Sequence, residues 1–401
     1  MTSVSYAGKT LQREDRRQSR NPVTGHSSNV VDQVPREAFV ATIYDVARIA
    51  GVSPKTVSRV LNGDAPVNDE TRKAVHAAMA GLNYIPSSAA RSMRSQKSGL
   101  VGMITGAISM SPGASEAVGL PDIYIVQGAQ RILSDNGMTL LISDTGGHAE
   151  RIPALVHTFL EHRVEGLIYI ADYHREVSLP GALKGKHVVL TNCFDSHDTP
   201  AIVPDDEAGQ HALIEGLVRR GHSRIAFLTL PELQVARGLR LAGYRRALAD
   251  AGIAYDPDLV ITGALSDPIH EYDYLWDSVD RVLALERKPS VICCGNDKMA
   301  MRVYGLLRQR GLRIPEDVSI AGYDDYRIIC EHLQPALTSV DLPYGAMGAR
   351  AAERLLRLIS GANKPNETVR ELVSGRVVWR DSVRIGENVV TPFKTRRKQH
   401  E

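Results

Sequence analysis

Lys55, Thr56, Ser58 and Arg59 place two cations and two hydroxyls within five residues. At helical spacing all four lie opposite Val57, Val60 and Leu61, so a helix would bury the apolar side and present the polar one. That outward face carries hydrogen-bond donors suited to a DNA groove, where side chains meet base edges and phosphates. The elements that must position it are legible on either side. Ile43 to Ala50 reads as an amphipathic helix, with Ile43, Val46, Ala47 and Ala50 in phase. Gly51 follows as a stop, since it takes a positive φ without steric cost. Ser53 is a good N-cap and Pro54 a good first helical residue, so a second helix opens at once. Ala47 and Gly51 are small enough for two helices to cross at a tight turn. The pattern predicts a helix-turn-helix; an ordinary helical hairpin with a solvated charged face would read similarly.

The chain has 401 residues, enough for two or three domains. No run approaches the roughly 18–20 apolar residues that cross a bilayer, and the polar, basic N-terminus does not read as a secretory signal. A cytoplasmic protein with no membrane partner is expected. The four cysteines, Cys193, Cys293, Cys294 and Cys330, include no CxxC, so buried free thiols are expected rather than a disulfide framework or a metal site. Net charge is only +2, but it is unevenly spread. Basic outnumber acidic residues six to four over 1–40 and eight to four over 41–98, and are outnumbered thirty-four to thirty-eight beyond. A small module for a polyanion on a mildly acidic body fits that distribution.

Residues 1–40 lack a sustained period and read as a disordered basic tail. Asn68 caps a third helix in which Val75, Ala78, Met79 and Leu82 share a face, and Tyr84 and Ile85 close the small core. Residues 87–98, SSAARSMRSQKS, carry three positive charges and no negative one. They read as a flexible linker, or as a short helix that forms only against DNA, an apolar wedge flanked by arginines. From Leu100 onward strands and helices alternate. Strands are expected at Leu100–Thr105, Thr139–Ser143, Gly166–Ile170, His187–Thr191, Ile225–Thr229, Val291–Cys294 and Val318–Tyr323. Such alternation predicts doubly wound parallel sheets in two lobes, with ligands at the carboxyl ends of strands. The turn from Asn192 to Pro204 and the acidic helix start Asp205-Asp206-Glu207 are expected to mark the lobe boundary.

The strings YDVARIAGVSPKTVSRVLNG and TRKAVHAAMAGLNYIPSSAARSM, followed by GHSRIAFL, RLAGY, GNDKMAM, IPEDVSIAGYDD and PALTSV, resemble the lactose-repressor (LacI/GalR) family of bacterial transcription regulators. The match spans roughly residues 41–388. It implies a helix-turn-helix DNA-binding domain over 41–88, a hinge helix or linker over 89–98, and a two-lobed, periplasmic-binding-protein-like effector-binding and dimerisation domain over 99–388. A tail over 389–401 follows. The fold class is thus an α/β body of two doubly wound parallel-sheet lobes behind a small all-α domain.

By the same resemblance, base-facing positions fall on Pro54, Lys55 and Arg59. Lys55 and Arg59 can each donate to guanine O6 and N7, while Pro54 offers only apolar contact. Thr42, Tyr44, Thr56, Ser58, Asn62, Asn68 and Tyr84 match positions used largely on phosphate. In the hinge, Ala90, Arg91, Ser92 and Met93 match the segment in which a leucine usually wedges the minor groove. Met93 is a departure, a softer wedge. A wedge that needs its symmetry mate implies a homodimer on a palindromic double-stranded DNA operator. The tail TPFKTRRKQHE lacks the leucine heptads of a tetramerising helix, so a dimer is expected over a tetramer. In the body, Arg240 and Asp324 match effector-holding positions, Asn296 is a further polar contact and Asn192 a first-lobe contact. Tyr272, Tyr274 and Trp276 compete for a stacking role, and Asp297 reads as a helix cap as much as a ligand.

The expected function is a DNA-binding transcriptional regulator, a repressor, controlled by a small-molecule effector, a sugar or sugar acid. A transport-system sugar-binding protein shares the body's fold but not the helix-turn-helix. An enzyme is not expected: GxSxG, HExxH and a phosphate-binding glycine loop are all missing, no cofactor is implied, and His222 reads as a surface residue at a strand entry.

Overall fold

A computed structural model describes residues 41–63, 66–85, 97–106, 122–264, 271–362 and 367–385, the side chains of Asn62, Asp122 and residues 271–273 excepted. These residues form two units, one within 1–87 and one within 88–401. The expectations for residues 1–40, for Ala90 and Met93 of the hinge and for the tail from 389 lie outside the described residues.

The first unit consists of α1 (Ile43–Ile49), α2 (Pro54–Asn62) and α3 (Asp69–Gly81). Each starts where a side chain satisfies backbone donors that the first turn leaves unpaired. Thr42 and Asp45 close a reciprocal cap on α1, Ser53 Oγ accepts from Thr56 N at 3.1 Å, and Asn68 Oδ1 accepts from Glu70 N at 2.7 Å. Val46, Ala47, Val57, Val75 and Ala78 are buried together, with Ile43, Ala50, Leu61 and Tyr84 packed around them. Gly51 has φ +66°, and a Cβ there would meet no atom within 4 Å. The expectation of a close helix crossing at Gly51 is therefore corrected: the glycine serves the left-handed backbone of the turn, not a tight contact.

The second unit holds two six-stranded sheets. The first contains β1 (Leu100–Thr105), β2 (Thr139–Asp144), β3 (Gly166–Glu176), β4 (Val188–Phe194), β5 (Ala201–Pro204) and β11 (Arg370–Val373), in the order β11-β5-β4-β3-β1-β2, all parallel. The second contains β6 (Ile225–Thr229), β7 (Val260–Thr262), β8 (Val291–Cys294), β9 (Ser319–Asp324), β10 (Thr338–Asp341) and β12 (Val377–Val378). Its order is β12-β10-β9-β8-β6-β7, parallel except for β12. Helices cover both faces of each, as strands buried on both sides require. On the first sheet α4 (Asp122–Asp135) and α11 (Tyr344–Ser360) bury Met103 and Ile168, and α5 (Ile152–Glu161) buries Tyr169 and Leu190. On the second, α6 (Asp206–Arg219) and α7 (Val235–Asp250) enclose Phe227 and Tyr323. Opposite them α8 (Glu271–Ala284) and α9 (Asp297–Gln309) enclose Leu228 and Ile320. A four-residue helix, α10 (Arg327–Cys330), follows β9.

The expected lobe boundary is corrected in two ways. Residues 201–204 of the supposed turn are β5, an inner strand of the first sheet, and the chain changes lobe three times: at Pro204–Asp206, Asp341–Tyr344 and Val373–Val377. A single linear boundary cannot be read because α11 and β11 return to complete the first lobe. The return is held tightly: a Cβ at Gly348 of α11 would overlap the carbonyl of Ile125 in α4, so only glycine lets the two backbones approach there. All four cysteines are buried free thiols, as expected. His222 is a correction: it is buried, its ring nitrogens bonded to Ser290 Oγ at 2.8 Å and Arg384 O at 3.0 Å, and burial pushes its pKa down. Among the described residues no helix is long and apolar enough to cross a membrane, and no cluster of side chains could hold a metal ion.

Candidate functional sites: the face of the second helix and the interlobe cavity

In the first unit the outward face of α2 is as the spacing predicts. Lys55 and Arg59 are exposed on one side, Val57 is fully buried on the other, and Thr56 and Ser58 are half-buried between them. Pro54 occupies the first helical position, which leaves it half-exposed beside Lys55. Thr42, Asn68 and Thr56 are tied to local partners. Thr42 Oγ1 donates to Asp45 Oδ2 at 2.7 Å, Asn68 caps α3, and Thr56 Oγ1 lies 2.9 Å from Ser53 Oγ. Tyr44 is 71% exposed, unusual for so large a ring, whereas Tyr84 is partly used by the core. Asn62 ends α2.

In the second unit the candidates gather at carboxyl ends of strands, where doubly wound sheets bind ligands. Asn192 lies in β4 with φ +60°, and its Nδ2 donates to Ala171 O at 3.1 Å. Asn296 follows β8 and caps α9, its Oδ1 accepting from Met299 N at 2.8 Å. Asp324 ends β9 with φ +115°, a backbone conformation rare outside glycine and held only where surroundings enforce it. Arg240 reaches the same region from α7. Of the four, the structure brings Arg240 and Asp324 together, Nη2 to Oδ1 at 4.0 Å. Asp324 also lines a cavity of about 630 Å³ between α4, the turn after β9 and the β10–α11 crossing. Tyr124, Gln127, Asp341 and Tyr344 contribute to its walls. Trp276, one of the stacking candidates, lies under the Arg310 guanidinium at 4.2 Å; Tyr274 is half-buried, and the Tyr272 side chain is not among those described.

The centre of the cluster is a residue that sequence reasoning took only for a helix start. Asp206, fully buried, accepts from Arg240 Nε at 2.7 Å through one oxygen and from His174 Nδ1 at 3.0 Å through the other. Burial alone would raise its pKa, but the Arg240 charge and the His174 hydrogen bond outweigh burial and hold it below the usual value. Arg240 further donates Nη1 to Gly295 O and stacks on the Tyr323 ring at 3.5 Å. His174 was missed because β3 runs six residues past the expected end at Ile170, through a register shift, carrying it to the cleft. No local sequence signal pairs residues 174, 206 and 240.

Asp297 is not the helix cap expected. That role falls to Asn296, and the Asp297 carboxylate turns inward to accept from Ser339 Oγ at 2.6 Å, Tyr326 N at 2.7 Å and Cys330 Sγ at 3.2 Å. Burial pushes it up to about 7 despite these donors, and burial likewise raises Asp324 well above the ordinary range. The folded state thus retains protons that the unfolded chain has shed above pH ~4, so it binds more protons between about pH 4 and 7. Stability is expected to fall as pH rises through that window, and Asp297→Asn to reduce the fall. Urea midpoints at pH 5 and pH 8 test this; an unchanged difference between the two pH values in the variant would contradict it.

Comparison with known proteins bears on both sites. Residues 42–87 match bacterial regulatory proteins of the lacI family, and residues 214–383 match the periplasmic binding protein-like domain. The HTH-type transcriptional repressor PurR of Vibrio atlanticus (strain LGP32) is 32% identical over 326 residues, 80% of this chain and 92% of that protein. The ribose operon repressor of Haemophilus influenzae is 31% identical over 343 residues, 83% and 96% of the two chains. Among solved structures, the lac repressor dimer bound to operator and the anti-inducer ONPF superposes with a TM-score of 0.70 at 27% identity. It covers 86% of this chain and 99% of that one. A complex of the transcriptional regulator CelR with cellobiose gives 0.58 at 28%, covering 85% and 99%. The helix-turn-helix, the two-lobed body and relatives aligned across both make this chain a DNA-binding transcriptional repressor, not an enzyme, and a member of the lacI family of bacterial regulatory proteins.

Proposed function

We propose that α2 is the recognition helix, with Lys55 and Arg59 donating to guanine edges and Pro54 touching an apolar base surface. Tyr44, Thr56, Ser58, Asn62 and Tyr84 set register on phosphates, and Thr42 and Asn68, whose side chains cap helices, do so chiefly by orienting those helix starts. Residues 41–88 form the DNA-binding domain and 99–388 the body. The protein acts in the cytoplasm as a homodimer on a palindrome, its hinge wedge built around Ala90 and Met93. The controlling effector is a small carbohydrate, a sugar or sugar acid, bound between the lobes near Asn192, Arg240, Asn296 and Asp324. CelR, of similar fold, was solved with cellobiose, a carbohydrate of that class. The observation that carries this reading is the approach of Arg240 and Asp324 to 4.0 Å at the strand ends, Asp324 at φ +115°, beside a cavity of about 630 Å³ that Asp324 alone of the four lines. Effector binding would shift the balance between lobe arrangements that bind it unequally, and by linkage shift operator affinity. Selection from random duplex DNA at physiological salt tests the reading. A recovered palindrome with a pyrimidine–purine step at its centre is expected, and its retention should change when sugars or sugar acids are added. Recovery of an asymmetric site, or of a palindrome indifferent to the whole panel, would count against it.

A further inference from the structure

The Arg240 guanidinium is not a free cation waiting for an anion. Its Nε is bonded to Asp206 at 2.7 Å, its Nη1 to Gly295 O, and its face lies on Tyr323 at 3.5 Å. The ion pair is buried, Arg240 being 4% and Asp206 0% exposed, so the two charges cancel where solvent does not screen them. Asp206 is itself fixed from two lobes: His174, from the first, holds its second oxygen at 3.0 Å, and its own carbonyl accepts from Tyr323 Oη at 3.3 Å.

What Arg240 turns toward Asp324 is Nη2, at 4.0 Å from Oδ1, beyond direct hydrogen-bond range. A ligand hydroxyl can accept from Nη2 and donate to Asp324, or accept from Asp324 if that carboxyl is protonated; it suits either state. A carboxylate only accepts. It would find the guanidinium charge already cancelled and would add its own charge beside the Asp206 carboxylate. The wall of the adjoining cavity carries both signs, Asp325 and Asp341 with Arg131 and Arg327, and Asp325 is itself paired with Arg380 at 2.7 Å.

Resting on the reading of the cleft as the effector site, we propose that Asp206 is its positioning and specificity-determining residue. It locks Arg240 in place and cancels its charge, so that the cleft takes uncharged polyhydroxylated effectors and rejects anionic ones.

The test uses the full-length protein and Asp206→Asn, nearly the same shape without the charge. In calorimetric titrations with glucose and gluconate, galactose and galacturonate, and cellobiose and cellobionate, the wild type is expected to prefer an uncharged member at least tenfold. Asp206→Asn is expected to cut that preference at least tenfold. A second arm needs no sugar. Freed of Asp206, Arg240 should bind inorganic sulfate, giving the variant a saturable rise in Tm that the wild type and Asp206→Asn/Arg240→Gln lack. A wild type that prefers the acids overturns the proposal, as does a variant with the wild-type ratio and no sulfate response. Should the wild type bind none of these sugars, the carbohydrate reading fails on its own, and the sulfate arm still decides the role of Asp206. If Asp206→Asn does not fold, Asp206→Glu takes its place: it keeps the charge and should hold the wild-type ratio within threefold, and a swing toward the acids refutes the assignment.

Discussion

Replacing Arg59 with alanine is expected to remove sequence discrimination and leave the fold in place. The Arg59 side chain is exposed, and only its backbone carbonyl takes part in the helix end, accepting from Gly63 N at 2.9 Å. Alanine is the better helix former, and Val57 with the buried side of α2 is untouched. A bidentate contact from arginine to guanine is worth about 1–3 kcal/mol of discrimination. A dimer loses it in both half-sites, so the ratio of specific to non-specific affinity should fall roughly 30-fold to 10⁴-fold. Affinity for unrelated duplex should fall far less, by the loss of one positive charge per protomer near phosphate. Titrating the selected palindrome and a scrambled duplex at one salt concentration, beside thermal unfolding, separates these effects. If the two affinities keep their ratio, α2 does not read bases through Arg59.

The first unit was legible almost to the residue because its signals are local. Ser53, Pro54 and Asn68 act within one helical turn of themselves, and the apolar spacing of α1 to α3 is what packs. In the body, β1, β6 and β8 begin and end where the apolar runs do. What escaped is non-local. β5, β11 and β12 are four residues or fewer, and their place in the sheets depends on chain that returns from elsewhere. Asp297 reads as a cap by position, yet its carboxylate is drawn inward by Ser339, forty-two residues on. Arg240 was identifiable by resemblance, but its partner Asp206 and the His174 that holds Asp206 lie 34 and 66 positions away, on a crossing and on a strand extension. Sequence spacing shows which residues could meet a ligand; it does not show which have already met each other.

Arg240→Ala tests that distinction with the largest expected cost to stability. Were Arg240 chiefly a ligand-binding side chain, its removal would cost the effector response and little else. Paired as it is, the truncation strands the Asp206 carboxylate in a buried site with His174 as its one remaining side-chain partner and strips the Tyr323 face. Breaking a buried pair from one side costs about 3–5 kcal/mol, most of it the desolvation of the charge left behind. In a body of this size that corresponds to a fall in Tm of roughly 10 °C. Asp206→Asn in the same chain should restore part of the loss, since a neutral amide tolerates burial better than an orphaned carboxylate. The double-mutant cycle over Asp206 and Arg240 should therefore show strong coupling between contacting residues. Additive losses, or an Arg240→Ala protein that unfolds with the wild type, would mean that Asp206 is solvated without its partner. The cleft would then owe its charge balance to water rather than to this pair.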